Sequence, residues 1–324
     1  MYGYKIFHEQ ILKNLLSTVR NGTAAHAYIF EGASGLFLSD AAKLFAMALT
    51  CQTPSAAPCC SCHACIESTA GTNPDIIFVK PESGKKTFGV SVIRQVNDDT
   101  CVKPFHSPKK VYIIENGDIL TAEAQNALLK TLEEPPEYTV FIIITSNKSF
   151  MLETVLSRSE IIYFPPVSDK LIRRHIEESF PDTENPDLAV ALAQGIPGEI
   201  DKMAEDENFY ALRSASADIL PSLLTKNMLK AFSVKNFLTE NKDDADKIFD
   251  TWILLLRDIL VLQAGAFDHV INHDKLPLLR DLSNKLDPKV IASAIDEIFK
   301  AKAMLARNVS LKSVALALPL KINR

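Results

Sequence analysis

Residues 26–39 have the sequence His26-Ala-Tyr-Ile-Phe-Glu-Gly-Ala-Ser-Gly-Leu-Phe-Leu-Ser39. An apolar run of strand length is followed by a turn that contains Gly32 and Gly35, and then by the start of a helical pattern. A strand, a glycine turn and a helix N-terminus form the place where a phosphate-binding loop lies in nucleotide-binding proteins. The stretch therefore predicts the first strand and helix of a P-loop-like α/β domain.

The turn departs from the phosphate-loop pattern at two positions that serve phosphate. In G-x-x-x-x-G-K-[ST], the second glycine lets phosphate approach the backbone, and the lysine supplies positive charge. Counting from Gly32, Phe37 takes the glycine position and Leu38 the lysine position, and only Ser39 keeps its expected type. We expect that ATP does not bind here productively. The alternative to a degenerate phosphate-binding loop is an ordinary strand-to-helix turn that contains glycine.

A second apolar run ends in residues that also depart from the pattern of an active ATPase. Residues 111–118 are Val-Tyr-Ile-Ile-Glu-Asn-Gly-Asp, at the place where an ATPase of this class has apolar residues followed by Asp-Glu. The aspartate of such enzymes holds Mg²⁺, and the glutamate orients the attacking water. Here Glu115 carries an extra methylene, and Asn116 cannot act as a base. Both altered sites together predict an ATPase fold without catalysis.

The pattern along the chain predicts an α/β domain followed by two all-α domains. Apolar runs of strand length alternate with helical stretches up to residue 167, which favours a parallel sheet with flanking helices. We predict strands at residues 27–30, 75–79, 110–114, 140–145 and 161–164. After Pro165-Pro166 only helical patterns remain, and we predict a small helical domain at 168–209 and a second helical domain at 210–324.

Composition limits the function classes. The chain has 324 residues, 47% of them hydrophobic, and a net charge of −5. No apolar run approaches the roughly 18 residues needed to cross a bilayer, and no secretory signal pattern opens the chain, so we expect a cytoplasmic protein. The acidic surface should repel a phosphate backbone, which argues against self-sufficient DNA binding.

A cysteine array predicts a structural metal site within residues 51–65. Cys51, Cys59, Cys62 and Cys65 follow the pattern C-x7-C-x2-C-x2-C. Four thiolates close a tetrahedral zinc shell, and two-residue gaps let backbone N–H groups turn toward the sulfur atoms. Cys60 could replace Cys59, although it leaves only one residue before Cys62.

Three alternatives to zinc stay open at this point. An iron–sulfur cluster also uses four thiolates, and spacing alone does not exclude it. Disulfides are disfavoured in the reducing compartment that we expect. Coincidental free cysteines are the remaining interpretation, and the concentration of five cysteines within fifteen residues argues against it.

One further run makes a family resemblance specific. Residues 126–136, Asn-Ala-Leu-Leu-Lys-Thr-Leu-Glu-Glu-Pro-Pro, resemble the signature helix and turn of the delta-prime family of bacterial DNA polymerase III clamp-loader subunits, in the AAA+ superfamily. The strand at 26–30, the cysteine array, Gly71-Thr-Asn-Pro-Asp75, Ile93-Arg94 and residues 110–114 fit the same resemblance, which covers most of residues 1–167.

The resemblance implies an AAA+ core at 1–167 with the cysteine insertion, a small helical lid at 168–209 and a helical collar for oligomerisation at 210–324. Leu156-Ser157-Arg158-Ser159 resembles the Ser-Arg-Cys motif of the family, whose arginine reaches a neighbouring subunit's ATP site, with Ser159 in place of cysteine. Thr145 and Ser146 occupy the position of the first sensor residue. Gly198 occupies the position of the second sensor arginine.

The resemblance therefore implies a subunit without ATPase activity of its own. It would hold a structural zinc, lend Arg158, with Ser157 beside it, to a neighbour's ATP site, and support loading of the sliding clamp in DNA replication. The implied partners are gamma/tau and delta subunits, with the sliding clamp and primed DNA met through the complex, and no membrane. The alternatives are an ATP-binding motor subunit of the gamma/tau type and a stand-alone zinc-dependent nucleic-acid-binding protein.

Overall fold

The computed structural model describes residues 5–81, 87–225, 227–307 and 309–322. The chain divides into two compact units, Met1–His175 with Ala193–Glu199 and Ile176–Leu192 with Ile200–Arg324. The three-domain boundaries at 167 and 209 stay a prediction. Across the described residues, no helix has both the length and the apolar character needed to cross a bilayer.

The first unit is built on a parallel sheet, which confirms the predicted fold class. The strands are β1 Ala27–Glu31, β2 Ile76–Val79, β3 Lys110–Ile114, β4 Thr139–Thr145 and β5 Glu160–Tyr163, and these bounds lie close to the predicted ones. Their order across the sheet is β2-β3-β4-β1-β5, with all neighbours parallel.

Helices account for most of the remaining described residues. Their bounds are α1 Glu9–Arg20, α2 Leu38–Leu49, α3 His63–Ala70, α4 Val90–Thr100, α5 Ala122–Glu133, α6 Glu153–Leu156, α7 Asp169–Ser179, α8 Pro186–Ala193, α9 Pro197–Glu205, α10 Phe209–Leu223, α11 Met228–Glu240, α12 Ala245–Gln263, α13 Leu276–Lys285, α14 Pro288–Ala306 and α15 Leu311–Ile322.

The central strands are covered on both faces because successive side chains point to opposite sides of a strand. Tyr28 and Phe30 of β1 pack with α1 and α2 in one hydrophobic layer. Ile29 packs with α4 and α5 in the other. All five residues of β3 are buried. The continuous apolar runs seen in the sequence are thus explained by burial on two faces.

The second unit has its own hydrophobic core, formed by α10 to α15 around Trp252. The indole N–H of Trp252 donates to the carbonyl of Ser216 at 2.7 Å. Asp258 on α12 is fully buried, and its carboxylate accepts from the backbone N–H groups of Ile271 at 3.0 Å and Asn272 at 2.7 Å. Arg257 also donates to it, at 2.9 Å.

We predict that Asp258→Ala lowers the free energy of unfolding of this unit by about 3 kcal/mol, because it leaves buried N–H donors without an acceptor. Urea unfolding followed by the fluorescence of Trp252, the single tryptophan of the chain, measures the loss. Asp268→Ala removes an exposed carboxylate and should change stability by less than about 0.5 kcal/mol. Equal losses in the two variants would contradict the structural role of Asp258.

Candidate functional site

The structure brings the four predicted cysteines together at the edge of the first unit. The Sγ atoms of Cys51, Cys59, Cys62 and Cys65 all lie within 4.8 Å of one another. Cys51 is 4.0 Å from Cys62, and Cys59 is 4.0 Å from Cys65, measured between sulfur atoms. A tetrahedral shell with metal–sulfur bonds of about 2.3 Å has sulfur–sulfur edges of about 3.8 Å. The sulfur atoms therefore fit a four-thiolate metal site.

Backbone donors point at these sulfur atoms, as the short gaps predict. The N–H of Cys62 lies 3.4 Å from the sulfur of Cys59, and the N–H of Thr53 lies 3.4 Å from that of Cys51. Hydrogen bonds from the backbone and hydroxyl of Ser61 lower the pKa of Cys59 to about 5. Burial raises the pKa of Cys51 and Cys65. Buried thiolates need a bound cation to balance their charge.

Cys60 lies outside this group. Its side chain is exposed, and its thiol contacts the carbonyl oxygen of Pro58 at 3.4 Å. The backbone at Cys60 is left-handed, with φ of 60°, so that Cys59 and Cys60 point in different directions. The structure thus brings Cys59, rather than Cys60, into the cluster.

Two residues of the Gly71–Asp75 segment, Asn73 and Asp75, are buried polar anchors that the sequence alone did not reveal. Asn73 is buried, and its side-chain amide donates to the carbonyl of Ala64 at 3.1 Å and to the hydroxyl of Ser68 at 2.9 Å, both on α3. Asp75 is buried just before β2. A polar Asn and Asp directly before the apolar run at 76–79 are the sequence signal that could have identified them.

An aromatic side chain of the chain itself replaces the second glycine of the altered phosphate loop. Phe37 lies in the left-handed region, with φ of 55°, where glycine fits without strain. Its ring stacks on Phe7 with centroids 5.6 Å apart, and the Nζ of Lys5 lies 4.8 Å from the ring centroid. The backbone turn is thus kept, while an aromatic cluster occupies the glycine position.

Gly198, at the predicted position of the second sensor, packs directly on this loop. Its N–H donates to the carbonyl of Gly35 at 2.9 Å. A Cβ atom at Gly198 would lie 2.7 Å from the Cα of Gly35, which is closer than real contacts allow. No side chain fits at this position unless the loop moves.

The phosphate loop and the other predicted positions line one cleft of about 380 Å³, at the carboxyl ends of the strands. Ser39 donates to the carboxylate of Glu115. Thr145 donates to Asp118, and the N–H of Ser146 lies 3.0 Å from the same carboxylate. Asn116 is exposed, with φ of 58°. These groups hydrogen-bond to one another within the cleft.

Arg158 lies two residues after the end of α6, and its polar contacts are with residues that do not line the cleft. One guanidinium nitrogen donates to the carbonyl of Thr154 at 2.9 Å and lies 3.2 Å from the hydroxyl of Ser157. The other pairs with Glu133 at 2.7 Å. The side chain of Arg158 is 34% exposed, so its fork is accessible from solvent. Arginine both caps a short helix here and presents a charged group at the surface.

A five-stranded parallel sheet with an altered phosphate-type loop after its first strand places the first unit in the P-loop-like α/β class of proteins. Within it, the chain belongs to the family described as DNA polymerase III, delta subunit, whose sequence profile matches residues 7–168. A second profile, described as DNA polymerase III, delta subunit, C terminal, matches residues 207–313.

Individual relatives agree with the family assignment. DNA polymerase III subunit delta' of Bacillus subtilis is 27% identical over 313 residues, which cover 94% of this chain and 93% of the relative. The subunit delta' of Escherichia coli is 29% identical, covering 90% and 86%. DNA polymerase III subunit tau of B. subtilis is also 29% identical over 90% of this chain, which spans only 56% of that relative.

Among solved structures, one match is a gamma subunit-related protein of DNA polymerase III from Thermotoga maritima. It is 18% identical, with a TM-score of 0.47, over 96% of this chain and 98% of that one.

We predict that Cys59→Ser weakens metal binding at the cysteine cluster by at least about 100-fold, because a direct ligand is lost. Cys60→Ser is the matched control and should keep the metal content of the wild-type protein. Elemental analysis of both purified variants measures the difference. Metal retained by Cys59→Ser and lost from Cys60→Ser would contradict the ligand assignment.

Proposed function

We propose that this chain is a non-hydrolysing, delta-prime-type subunit of the bacterial clamp loader and acts in DNA replication. It would support ATP-dependent loading of the sliding clamp without turning over ATP itself. The observation that supports this proposal best is the contact between Gly198 and Gly35, which leaves no room for a nucleotide-binding side chain where the second sensor arginine would stand.

Further contacts at the phosphate loop argue in the same direction. Phe37 covers the loop, and Leu38 is buried and carries no charge. Asp40, in the first turn of α2, accepts from the backbone N–H of Lys5 at 2.9 Å. Its negative charge lies near the helix N-terminus, where a phosphate group would otherwise be stabilised. Lys43 pairs with Asp40 at 3.1 Å, and Leu38 stands where the phosphate-binding lysine would be.

Arg158 is the residue that we propose acts on ATP, in a site belonging to a neighbouring subunit. A planar, permanently charged guanidinium can stabilise the charge that spreads over a transferring γ-phosphoryl group. In this chain Arg158 pairs with the half-exposed Glu133, and exposed pairs of this kind contribute only about 0.2–1 kcal/mol. The triphosphate of a neighbouring subunit's ATP would therefore compete effectively with Glu133 for the guanidinium of Arg158. Ser157 would help to orient it.

We infer that the metal of the cysteine cluster is zinc with a structural role. Four sulfur ligands leave no open coordination position for a substrate, which is typical of structural zinc. The α3 helix begins directly after Cys62 and contains Cys65, so bound zinc would hold its first turn to the end of α2. Iron with visible absorbance in the purified protein would contradict zinc.

The proposed partners are gamma/tau and delta subunits, with the sliding clamp and primed DNA reached through the assembled complex. We propose that residues 210–324 form the collar through which the subunits assemble, that residues 168–209 form the lid, and that the protein works in the cytoplasm. The similarity to a tau subunit keeps an ATP-binding motor as the second candidate. Phe37, Leu38 and Gly198 argue against that candidate.

We predict that Arg158→Ala leaves assembly of a reconstituted clamp loader intact and lowers its DNA-stimulated ATP turnover by about 10³-fold at the adjacent site, because the transition-state charge loses its partner. Arg158→Lys should recover little of the lost ATP turnover, since lysine lacks the planar guanidinium group. Size measurement of the complex and steady-state ATPase assays check the two parts.

Arg94→Ala is the matched control, because it removes an exposed arginine of α4. It should leave ATP turnover within about twofold of the wild-type rate. Wild-type turnover in a fully assembled Arg158→Ala complex would refute the proposed role of Arg158.

A further inference from the structure

Beside the cysteine cluster, three other side chains converge on one point. They are His63 and Glu67 on α3 and His106 in the loop before β3. The Nδ1 of His63 lies 3.4 Å from the Nε2 of His106 and 3.4 Å from the Oε2 of Glu67. The Nε2 of His106 lies 2.8 Å from the same carboxylate oxygen. Two imidazoles and one carboxylate thus present their donor atoms to a shared position.

The backbone holds these groups in place. His63 and Glu67 are one turn apart on the same face of α3, which brings their side chains together. The loop of His106 is fixed by Asp75, whose carboxylate accepts from the N–H groups of Phe105 at 2.6 Å, His106 at 3.2 Å and Ser107 at 3.0 Å. Burial raises the pKa of Asp75, but these donors outweigh it, and the net shift is downward. The three donor groups are therefore positioned in advance.

An ordinary ion pair does not explain the carboxylate. The Oε2 atom of Glu67 is buried and has no hydrogen-bond partner of acceptable geometry. His106 approaches it closely, yet a protonated imidazole would direct its N–H at the oxygen. A buried carboxylate oxygen without a donor is costly. A cation between the three atoms would satisfy this oxygen and both ring nitrogens together.

The dimensions fit such a cation. The circle through the three donor atoms has a radius of about 1.9 Å, from their separations of 3.4, 3.4 and 2.8 Å. A transition-metal ion about 2.0–2.1 Å from each atom would lie just off their plane. We propose that His63, Glu67 and His106 form a second metal site, for a divalent transition-metal ion such as Zn²⁺, Co²⁺ or Ni²⁺. Imidazole and carboxylate ligands suit these ions, whereas the cysteine cluster offers only sulfur.

The proposed site differs from the cysteine cluster in one further respect. It has three protein ligands, and the side chain of His63 is 67% exposed. At least one coordination position therefore faces solvent and would be filled by water. Such a site binds and releases metal more readily than a closed four-thiolate shell.

Titration of tag-free, full-length protein, freed of bound metal by chelation under reducing conditions, with Co²⁺ tests the proposal. We expect two equivalents to bind: one with the strong charge-transfer absorption of thiolate ligands, and one with only the weak visible bands of nitrogen and oxygen ligands. His106→Ala and Glu67→Gln should each weaken the second equivalent by more than about 100-fold and leave the thiolate band unchanged. His269→Ala, which removes an exposed histidine outside the cluster, should keep both equivalents.

Three results would overturn the proposal. The wild-type protein could bind a single equivalent, or the second equivalent could persist in both cluster variants, or His269→Ala could remove it. His63→Ala is a less direct test, because His63 lies next to Cys62 and its loss can disturb the first site. His106→Ala, whose position is 41 residues beyond Cys65 in sequence, separates the two sites.

Discussion

The burial of the parallel sheet on both faces is the constraint on which the first unit depends. With helices packed above and below, β1, β3 and β4 can expose chemistry only at their ends. Because the strands are parallel, their carboxyl ends meet at one edge, as in other open α/β sheets. The altered phosphate loop follows β1, Glu115 follows β3, and Thr145 ends β4. One physical requirement, coverage of apolar strands, thus gathers the altered phosphate loop, Glu115 and Thr145 at one edge.

At that edge the chain satisfies its own polar groups. Ser39 hydrogen-bonds to Glu115, Thr145 to Asp118, and the backbone of Gly198 to that of Gly35. In an active site the corresponding groups would be left for magnesium and phosphate. A site whose donors and acceptors already pair with one another gains little from a nucleotide. The accessible guanidinium of Arg158 lies elsewhere, which is why we place the chemistry of this subunit in its neighbour's site.

The sequence predicts features that depend on local pattern. The five strands follow from apolar runs, the loss of the phosphate loop from Phe37 and Leu38, and the metal cluster from cysteine spacing. Features that depend on contacts between distant residues were out of reach. The packing of Gly198 on Gly35 joins positions 163 residues apart, and the grouping of His106 with His63 joins positions 43 residues apart. The choice between Cys59 and Cys60 depended on a backbone angle that spacing does not specify.

The proposal that this chain lacks a nucleotide site of its own is tested most directly by calorimetric titration of the isolated full-length protein with Mg·ATP. We expect no binding tighter than a Kd of about 1 mM, or roughly −4 kcal/mol, because the phosphate loop has Leu38 in place of its lysine and Phe37 in place of its second glycine. Binding in the micromolar range, with a stoichiometry near one, would contradict the proposal and favour the motor-subunit alternative.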